Sequence, residues 1–240
     1  MEKANAIGPV LEAKSVDVSS AWNQRTEIAG VNWTVLPGEY WIIGGRHGSG
    51  KSDLMMTAAG LHRPSAGSLK IFGRDPARAT ESELLQLRTR IGFVFKGGGR
   101  MFNELTVAEN VALPLRYHRN WSEEEARQEV RTVLERTELT DLAETPAQRL
   151  GSEWQQRVGL ARALVLKPEV MFLDEPAAGL ESRHREWWRN YLAQLSGQKI
   201  TVITTTNDFA PWQVKGVRCA MIRDQGWHVL GGQEEFPQID

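Results

Sequence analysis

A glycine-rich segment between a strand-like run and a helix-like run restricts the fold of this chain more than any other feature. The segment Gly45–Ser52 has the pattern Gly-x-x-x-x-Gly-Lys-Ser, and it lies between the apolar run Tyr40–Ile43 and the helix-favouring run Asp53–Ala59. In this context, glycines let successive backbone N–H groups converge on phosphate oxygens, and the following helix adds its positive end. The sequence therefore predicts a phosphate-binding loop in an α/β domain.

The loop predicts a site for a nucleoside triphosphate and Mg²⁺. Lys51 is expected to reach the β and γ phosphates, and the Ser52 hydroxyl is expected to bind Mg²⁺. A glycine turn before a helix with no ligand is the plainer alternative, and the preceding strand disfavours it. The other loop residues expected to contact phosphate are Gly45, Arg46, His47, Gly48, Ser49 and Gly50.

Two carboxylates follow a second apolar run, Val170–Leu173. Asp174 could hold Mg²⁺ directly or through water, because such sites need a carboxylate beside the metal. Glu175 then stands where it could orient an attacking water. An Asp-Glu-Pro sequence after a strand is by itself more often a turn, so this interpretation depends on the upstream loop.

Strand and helix patterns alternate along most of the chain, which predicts a mostly parallel sheet with flanking helices. Further strands are predicted at Ile28–Val35, Ser68–Phe72, Ile91–Phe95 and Ile200–Thr204. The middle third is mostly helical and is expected to form an inserted lobe. Its second helix, at Ser122–Arg136, opens with a capping box.

The C-terminal part is predicted to close the sheet with a hairpin of Val217–Ile222 and Trp227–Leu230. The one cysteine, Cys219, lies in the first of these runs, as expected for a packed thiol in a reduced cytoplasmic protein.

Charge and hydropathy leave several functions without support, although a local basic patch stays possible. The 240 residues carry a formal net charge of −1, so no charge imbalance supports nucleic-acid binding. No window approaches the about 20 apolar residues that cross a bilayer, and Met1–Pro9 lacks the apolar core of a signal peptide. A membrane role would therefore depend on a partner.

The order of the motifs resembles the ABC ATPase family over nearly the whole chain. The resemblance implies an α/β P-loop NTPase fold with a RecA-like, mostly parallel sheet, an N-terminal antiparallel β part and an inserted helical lobe. It implies one domain over residues 1–240, with the core at about 1–95 and 160–240 and the helical subdomain at about 96–159. The matching segments are 45–52, Ile91–Phe95 with residue 96, Leu150–Leu164, Leu173–Pro176, Ala178–Glu181 and Val202–Asp208.

The same resemblance implies ATP and Mg²⁺ as ligands. It implies a transmembrane permease subunit and a second ABC ATPase protomer as partners, no nucleic acid, and a peripheral position on the cytoplasmic face of the inner membrane. An aromatic residue of the family stacks on adenine, and the register from Pro37–Glu39 places Trp22 there. A surface aromatic in a hairpin is an equally acceptable interpretation of Trp22.

Three family positions are altered. Lys96 replaces a glutamine that touches Mg²⁺, and an ammonium can pair with phosphate but cannot ligate a metal. Asn207 replaces the switch histidine, and its amide offers a neutral hydrogen bond without proton exchange. The family signature Leu-Ser-Gly-Gly-Gln, which reaches the partner's γ-phosphate in a head-to-tail dimer, is replaced by Leu150, Gly151, Ser152, Glu153 and Trp154.

The altered signature is expected to slow the reaction. Glu153 would bring a carboxylate toward phosphates, a repulsion of about 4 kcal/mol at about 4 Å near a protein surface. Ser152 and Gln155 have capping-box spacing, which predicts a helix start with Glu153 in its first turn. We expect normal Mg-ATP binding and hydrolysis slower by about one to three decades. Glu175 and Asn207 are the expected catalytic residues.

The stretch Arg100–Arg116 resembles importer-type ATPases, and within them the subunits of MCE-type lipid transporters. Much of it is also shared with amino-acid and lipoprotein-type ATPases, and a helical lobe packing its apolar positions is the plainer interpretation. Other functions are a regulatory pseudo-ATPase, a non-transport ABC ATPase and a phosphate-loop kinase, for which no phosphoacceptor lid is evident. The transported substrate, its direction and the dimerisation partner stay open.

Overall fold

In a computed structural model, which describes residues 8–20, 22–209, 212 and 216–231, the chain forms two sheets flanked by helices. The strands are β1 Leu11–Ser19, β2 Thr26–Val35, β3 Tyr40–Gly45, β4 Ala66–Ile71, β5 Ile91–Val94, β6 Val170–Leu173, β7 Thr201–Thr206, β8 Arg218–Arg223 and β9 Gly226–Leu230. The helices are α1 Lys51–Ala58, α2 Glu81–Thr89, α3 Val107–Arg119, α4 Glu123–Arg136, α5 Ser152–Leu164 and α6 Ser182–Gly197.

The larger sheet has the order β5-β6-β7-β3-β8-β9 and is parallel from β5 to β8, with β9 added as an antiparallel hairpin strand. Alternate residues of the central strands enter two cores: Ile42 packs with the helical lobe, α5 and α6, while Ile43 packs with α1 and the smaller sheet. Strands covered on both faces read as continuous apolar runs. Because β6, β7 and β3 run parallel to one another, their carboxyl ends meet at one edge of the sheet.

The smaller sheet has the order β2-β1-β4 and is antiparallel, which confirms the predicted N-terminal β part. The sequence patterns did not reveal its central strand, β1. Ser15 has φ 48, and the register with β2 shifts between Ala13 and Val16. This irregularity breaks the alternation of buried and exposed residues, so the period-2 signal is lost.

The middle of the chain is helical, as predicted. The capping box at Ser122 is confirmed, with the Glu125 backbone N–H donating to Ser122 Oγ and the Ser122 backbone N–H donating to Glu125 Oε2. The described helices include none that is long and apolar enough to cross a membrane. Cys219 is buried, and burial raises the pKa of its thiol to about 11.

The capping box predicted at Ser152 is wrong. Gly151 is the N-cap of α5, with φ −64 and ψ 160, and Ser152 is already the first helical residue. The Gln155 amide donates to the carbonyls of Ala147 and Leu150, so it serves the preceding turn instead of reaching back to the helix start. Glu153 does lie in the first helical turn, as expected.

Candidate nucleotide-binding site

The phosphate loop connects β3 to α1, and two of its glycines have backbone angles that other residues rarely adopt. Gly48 has φ 78 and Gly50, the N-cap of α1, has φ 87. A Cβ at Gly45 would lie 2.5 Å from Ser49 Oγ, and one at Gly50 would lie 2.9 Å from the Cβ of Glu27. The loop is therefore closed too tightly for side chains at these positions, which keeps its backbone N–H groups unobstructed.

Lys51 extends back across this loop. Its Nζ donates to the carbonyls of Gly45 at 2.7 Å and Arg46 at 2.9 Å, and it lies 3.0 Å from Glu175 Oε1. The side chain is only 4% exposed. Ser49 Oγ is also buried and has no hydrogen-bond partner among the described residues. An unsatisfied hydroxyl inside a cationic loop fits an anionic oxygen ligand.

Asp174 lies directly after β6, close to the start of α1. Ser52 Oγ donates to Asp174 Oδ2 at 2.6 Å, and Thr205 Oγ1 donates to Asp174 Oδ1 at 2.8 Å. Hydroxyl and carboxylate oxygens form the donor set that Mg²⁺ takes alongside phosphates. The residues present therefore fit a triphosphate with Mg²⁺, with Ser52 and Asp174 on the metal side.

Glu175 is buried, and each of its carboxylate oxygens contacts a lysine. Oε1 lies 3.0 Å from Lys51 Nζ, and Oε2 accepts from Lys96 Nζ at 2.6 Å. Burial raises the pKa of this carboxyl, but the hydrogen bonds and charges of Lys96 and Lys51 outweigh burial and hold the pKa below its usual range. Glu175 is thus an ionised carboxylate between two ammonium groups.

Thr205 is a site residue that sequence reasoning missed. Besides donating to Asp174, its Oγ1 accepts a hydrogen bond from the Glu175 backbone N–H at 2.9 Å. The Thr205 hydroxyl on β7 therefore holds Asp174 and Glu175, the two residues after β6, in place by hydrogen bonds. The signal that could have found it is three successive buried threonines, Thr204 to Thr206, in a central strand, because buried hydroxyls need partners.

Asn207 follows β7 on the same edge of the sheet. It lines a cavity of about 250 Å³ whose other walls include Glu175 and Gly179. Trp22 lies in the turn between β1 and β2 and is 95% exposed. The structure therefore brings Lys96 and Asn207 to the Glu175 end of the site, while it leaves Trp22 open to solvent.

The last of the signature positions, Trp154, packs against α6. Among the described residues, no hydrogen bond or ion pair joins Gly151–Trp154 to the phosphate loop. Trp154 packs its ring 5.6 Å from His184 and 4.8 Å from the Arg157 guanidinium, which also lies 3.8 Å over Trp187. The signature segment is thereby attached to α6.

The comparisons with known proteins agree on one family. A family model described as "ABC transporter" matches residues 28–178. The cell division ATP-binding protein FtsE of Escherichia coli (strain K12) is 34% identical over 209 residues, which cover 87% of this chain and 92% of FtsE. The lipoprotein-releasing system ATP-binding protein LolD of Leptospira interrogans is 33% identical over 194 residues, 80% of this chain and 81% of LolD.

A solved structure shows the same fold. The ATP-binding cassette MJ0796, described as a dimer in a post-hydrolysis state bound to ADP and Pi, matches with a TM-score of 0.82 at 29% sequence identity. The match covers 92% of this chain and 99% of that chain. The similarity thus extends over the phosphate loop, the helical lobe and the carboxylates after β6.

Proposed function

The chain belongs to the ABC transporter family of ATP-binding proteins, and from that premise we propose that it is a slowly hydrolysing ATPase subunit that drives or gates a membrane transporter. One observation carries the proposal: a single sheet edge brings Lys51 within 3.0 Å of Glu175 and Ser52 within 2.6 Å of Asp174. Bound Mg-ATP supplies the phosphoryl group that is transferred to water.

The residues of this chain divide that task among them. Lys51 and the backbone N–H groups of Gly45–Ser52 bind the phosphates, Ser52 and Asp174 hold Mg²⁺, and Trp22 stacks on the base. Glu175 orients water through an ionised carboxylate. Thr205 fixes the direction of both acidic residues, since its hydroxyl contacts each of them. Little covalent chemistry is left for the protein, so positioning and charge set the rate.

Three features support slow hydrolysis. Lys96 donates a hydrogen bond to one oxygen of Glu175, which reduces the capacity of that carboxylate to accept a hydrogen bond from water. Asn207 brings a neutral amide to the cavity beside Glu175. Glu153, in the first turn of α5, would place a negative charge where the partner's γ-phosphate lies in a head-to-tail dimer. The changes at Lys96 and Asn207 act on the positioning of the attacking water, so they slow hydrolysis without requiring weaker ATP binding.

A second protomer completes the proposed site, and the similar cassette MJ0796 is a dimer bound to ADP and Pi. Within the part of the chain that the structure describes, the signature segment Gly151–Trp154 forms no hydrogen bond or ion pair with the phosphate loop, which leaves it available to a partner. Formation of such a dimer around two nucleotides would transmit the nucleotide state to a permease on the membrane. The chain would then lie on the cytoplasmic face.

The permease-facing surface is proposed at residues 95–102, which follow β5, and at α3. Here Phe95, Phe102 and Tyr117 are large hydrophobic side chains with 43%, 57% and 76% exposure. Exposed aromatic side chains are enriched at protein interfaces. The importer-like stretch Arg100–Arg116 lies in this region, and it supports an importer-class transporter of lipid-type cargo.

The rate proposal is tested by restoring the family residues. Lys96→Gln, Asn207→His and the signature changes Gly151→Ser, Ser152→Gly, Glu153→Gly and Trp154→Gln are combined in one chain. We expect saturated turnover to rise by about one to three decades. The control is Glu175→Gln in the restored chain, which should abolish the gain. Wild-type turnover already equal to that of a cassette with family residues would contradict slow hydrolysis.

The pairing of Glu175 with Lys96 favours a second function, a regulatory pseudo-ATPase that binds ATP without useful turnover. Single-turnover measurements separate the two. An ATPase subunit loses hydrolysis on Glu175→Gln by about a hundredfold or more, because a positioned base is lost. A pseudo-ATPase shows the same residual rate with and without Glu175. In either case, purification from detergent extract should recover a membrane protein with the chain.

A further inference from the structure

We propose that Lys96 is a positioning residue with two opposed effects through one ion pair to Glu175: it strengthens nucleotide binding and it slows hydrolysis. The inference rests on the proposed ATP site and assigns a mechanism to one of its altered positions. The contact that carries it is the 2.6 Å distance between Lys96 Nζ and Glu175 Oε2.

Lys96 and Lys51 approach Glu175 from different sides. Lys51 is 4% exposed and comes from within the phosphate loop, whereas the Lys96 side chain is 48% exposed and comes from the solvent side. Glu175 itself is 6% exposed. Because Lys51 is the loop's phosphate ligand, it must exchange the Glu175 carboxylate for phosphate oxygens. Lys96 then remains as the cation paired with Glu175.

The backbone holds Lys96 opposite Glu175. The strands that precede them, β5 and β6, pair in register through Val94 and Leu173, and the Asp174 backbone N–H donates to the Val94 carbonyl at 2.9 Å. Residues 96 and 175 therefore leave neighbouring strand ends at one edge of the sheet.

The turn that begins at Lys96 is held equally closely from the other side. Gly98 has φ 84, and a Cβ there would lie 2.5 Å from the Gln155 carbonyl oxygen. A Cβ at Gly159 would lie 2.4 Å from the Gly98 carbonyl oxygen. The turn is thus seated directly on the backbone of α5, so the ion pair does not depend on side-chain reach alone.

The two effects follow from the charge and from the hydrogen bond. The Lys96 ammonium offsets the negative charge that Glu175 would otherwise present to the phosphates, so it lowers repulsion in the bound state. The same ammonium occupies an oxygen that has to accept from the attacking water, so it raises the barrier to hydrolysis. A neutral glutamine lacks the charge and can donate only a weaker, uncharged hydrogen bond, so it reduces both effects. Arginine keeps both because it retains the charge and the donor.

The test is a double-mutant cycle on affinity, together with single-turnover rates. Lys96→Gln is made alone and with Glu175→Gln, and ATP dissociation constants are measured by calorimetry with Mg²⁺. We expect Lys96→Gln to weaken ATP binding about tenfold in the wild-type background and less than about threefold in the Glu175→Gln background. We expect its single-turnover rate at saturating ATP to rise about tenfold.

Two controls accompany the cycle. Lys96→Arg should keep both quantities within about threefold of the wild type, because the ion pair is retained. Lys167→Gln removes an exposed lysine that pairs with Glu129 at 2.7 Å, away from the site, and should change neither quantity. Thermal unfolding of each variant shows whether the fold is intact.

Two results would overturn the inference. Equal weakening of ATP binding in both backgrounds would mean that Lys96 does not act through Glu175. A joint fall of affinity and rate in Lys96→Gln would mean that it only supports the local structure. Absence of ATP binding in the wild type and in Glu175→Gln alike is a different result, because it removes the proposed nucleotide site and this inference with it.

Discussion

One side chain outside the phosphate loop, Thr205 on β7, orients both acidic residues of the site. Thr205 contributes one hydroxyl, which donates to Asp174 and accepts from the Glu175 backbone N–H. Hydrogen bonds of this kind orient metal ligands. Their removal reduces metal affinity or activity, because the ligand side chains are then less well positioned. The proposed roles of both acids therefore depend on a residue of a neighbouring strand.

Replacing Thr205 by valine tests this dependence at nearly constant shape. We expect Thr205→Val to reduce hydrolysis and the apparent affinity for Mg²⁺ by about 10- to 100-fold. Thr204→Val is the matched control, since the Thr204 hydroxyl is buried on the same strand and donates to the Leu173 carbonyl at 3.3 Å. Equal losses in the two variants, measured in steady-state assays with metal titration, would show a general packing effect.

Among the elements, α5 and α6 are joined by a stack of charged and aromatic side chains. The Arg157 guanidinium lies over the rings of Trp154 and Trp187 and pairs with Glu138 at 3.0 Å. The side chain of Arg157 is 4% exposed, so these contacts are shielded from water. The stack gives Trp154 a packing role at a position where the family has a glutamine.

A lysine in place of Arg157 keeps the charge but loses the planar guanidinium group that stacks on both tryptophan rings. We expect Arg157→Lys to lower the free energy of unfolding by about 1–2 kcal/mol. Arg131→Lys on α4, whose side chain is 71% exposed, should change it by about 0.5 kcal/mol or less. Urea denaturation of the two variants gives the comparison, and losses of similar size would argue against the stack.

The capping boxes of α2 and α4 make the stability of these two helices depend on pH. Hydrogen bonds from the backbones and hydroxyls of Thr80 and Ser122 lower the pKa of Glu83 and Glu125 below the ordinary 4.5. Because these pKa values are depressed in the folded chain, the stabilisation is complete above the unfolded value and is lost as pH falls through the folded values.

The pair of changes Glu83→Gln and Glu125→Gln removes that titration and keeps an acceptor for the cap. We expect the wild type to lose more stability than this variant between pH 7 and about pH 3.5. Urea midpoints at the two pH values measure the difference. An equal loss in both chains would show that the capping carboxylates do not contribute to acid sensitivity.

For the molecule as a whole, the sequence predicted the parallel sheet, the phosphate loop and the carboxylates after β6, because glycine spacing and apolar runs are local signals. It did not reveal β1, whose alternation is broken near Ser15, nor that α5 starts at Ser152 with Gly151 as its N-cap. The pair between Lys96 and Glu175 joins residues 79 positions apart. No local pattern encodes such a contact, since it depends on which strands become neighbours.

The central claim, that one edge of the sheet binds a triphosphate with Mg²⁺, is tested most directly by calorimetric titration of ATP into the purified chain. The titration is made with Mg²⁺, with the metal chelated, and with Lys51→Ala. We predict saturable binding with Mg²⁺ that weakens at least about tenfold in each of the other two conditions. Absence of binding, or binding that is indifferent to both Lys51 and Mg²⁺, would contradict the account.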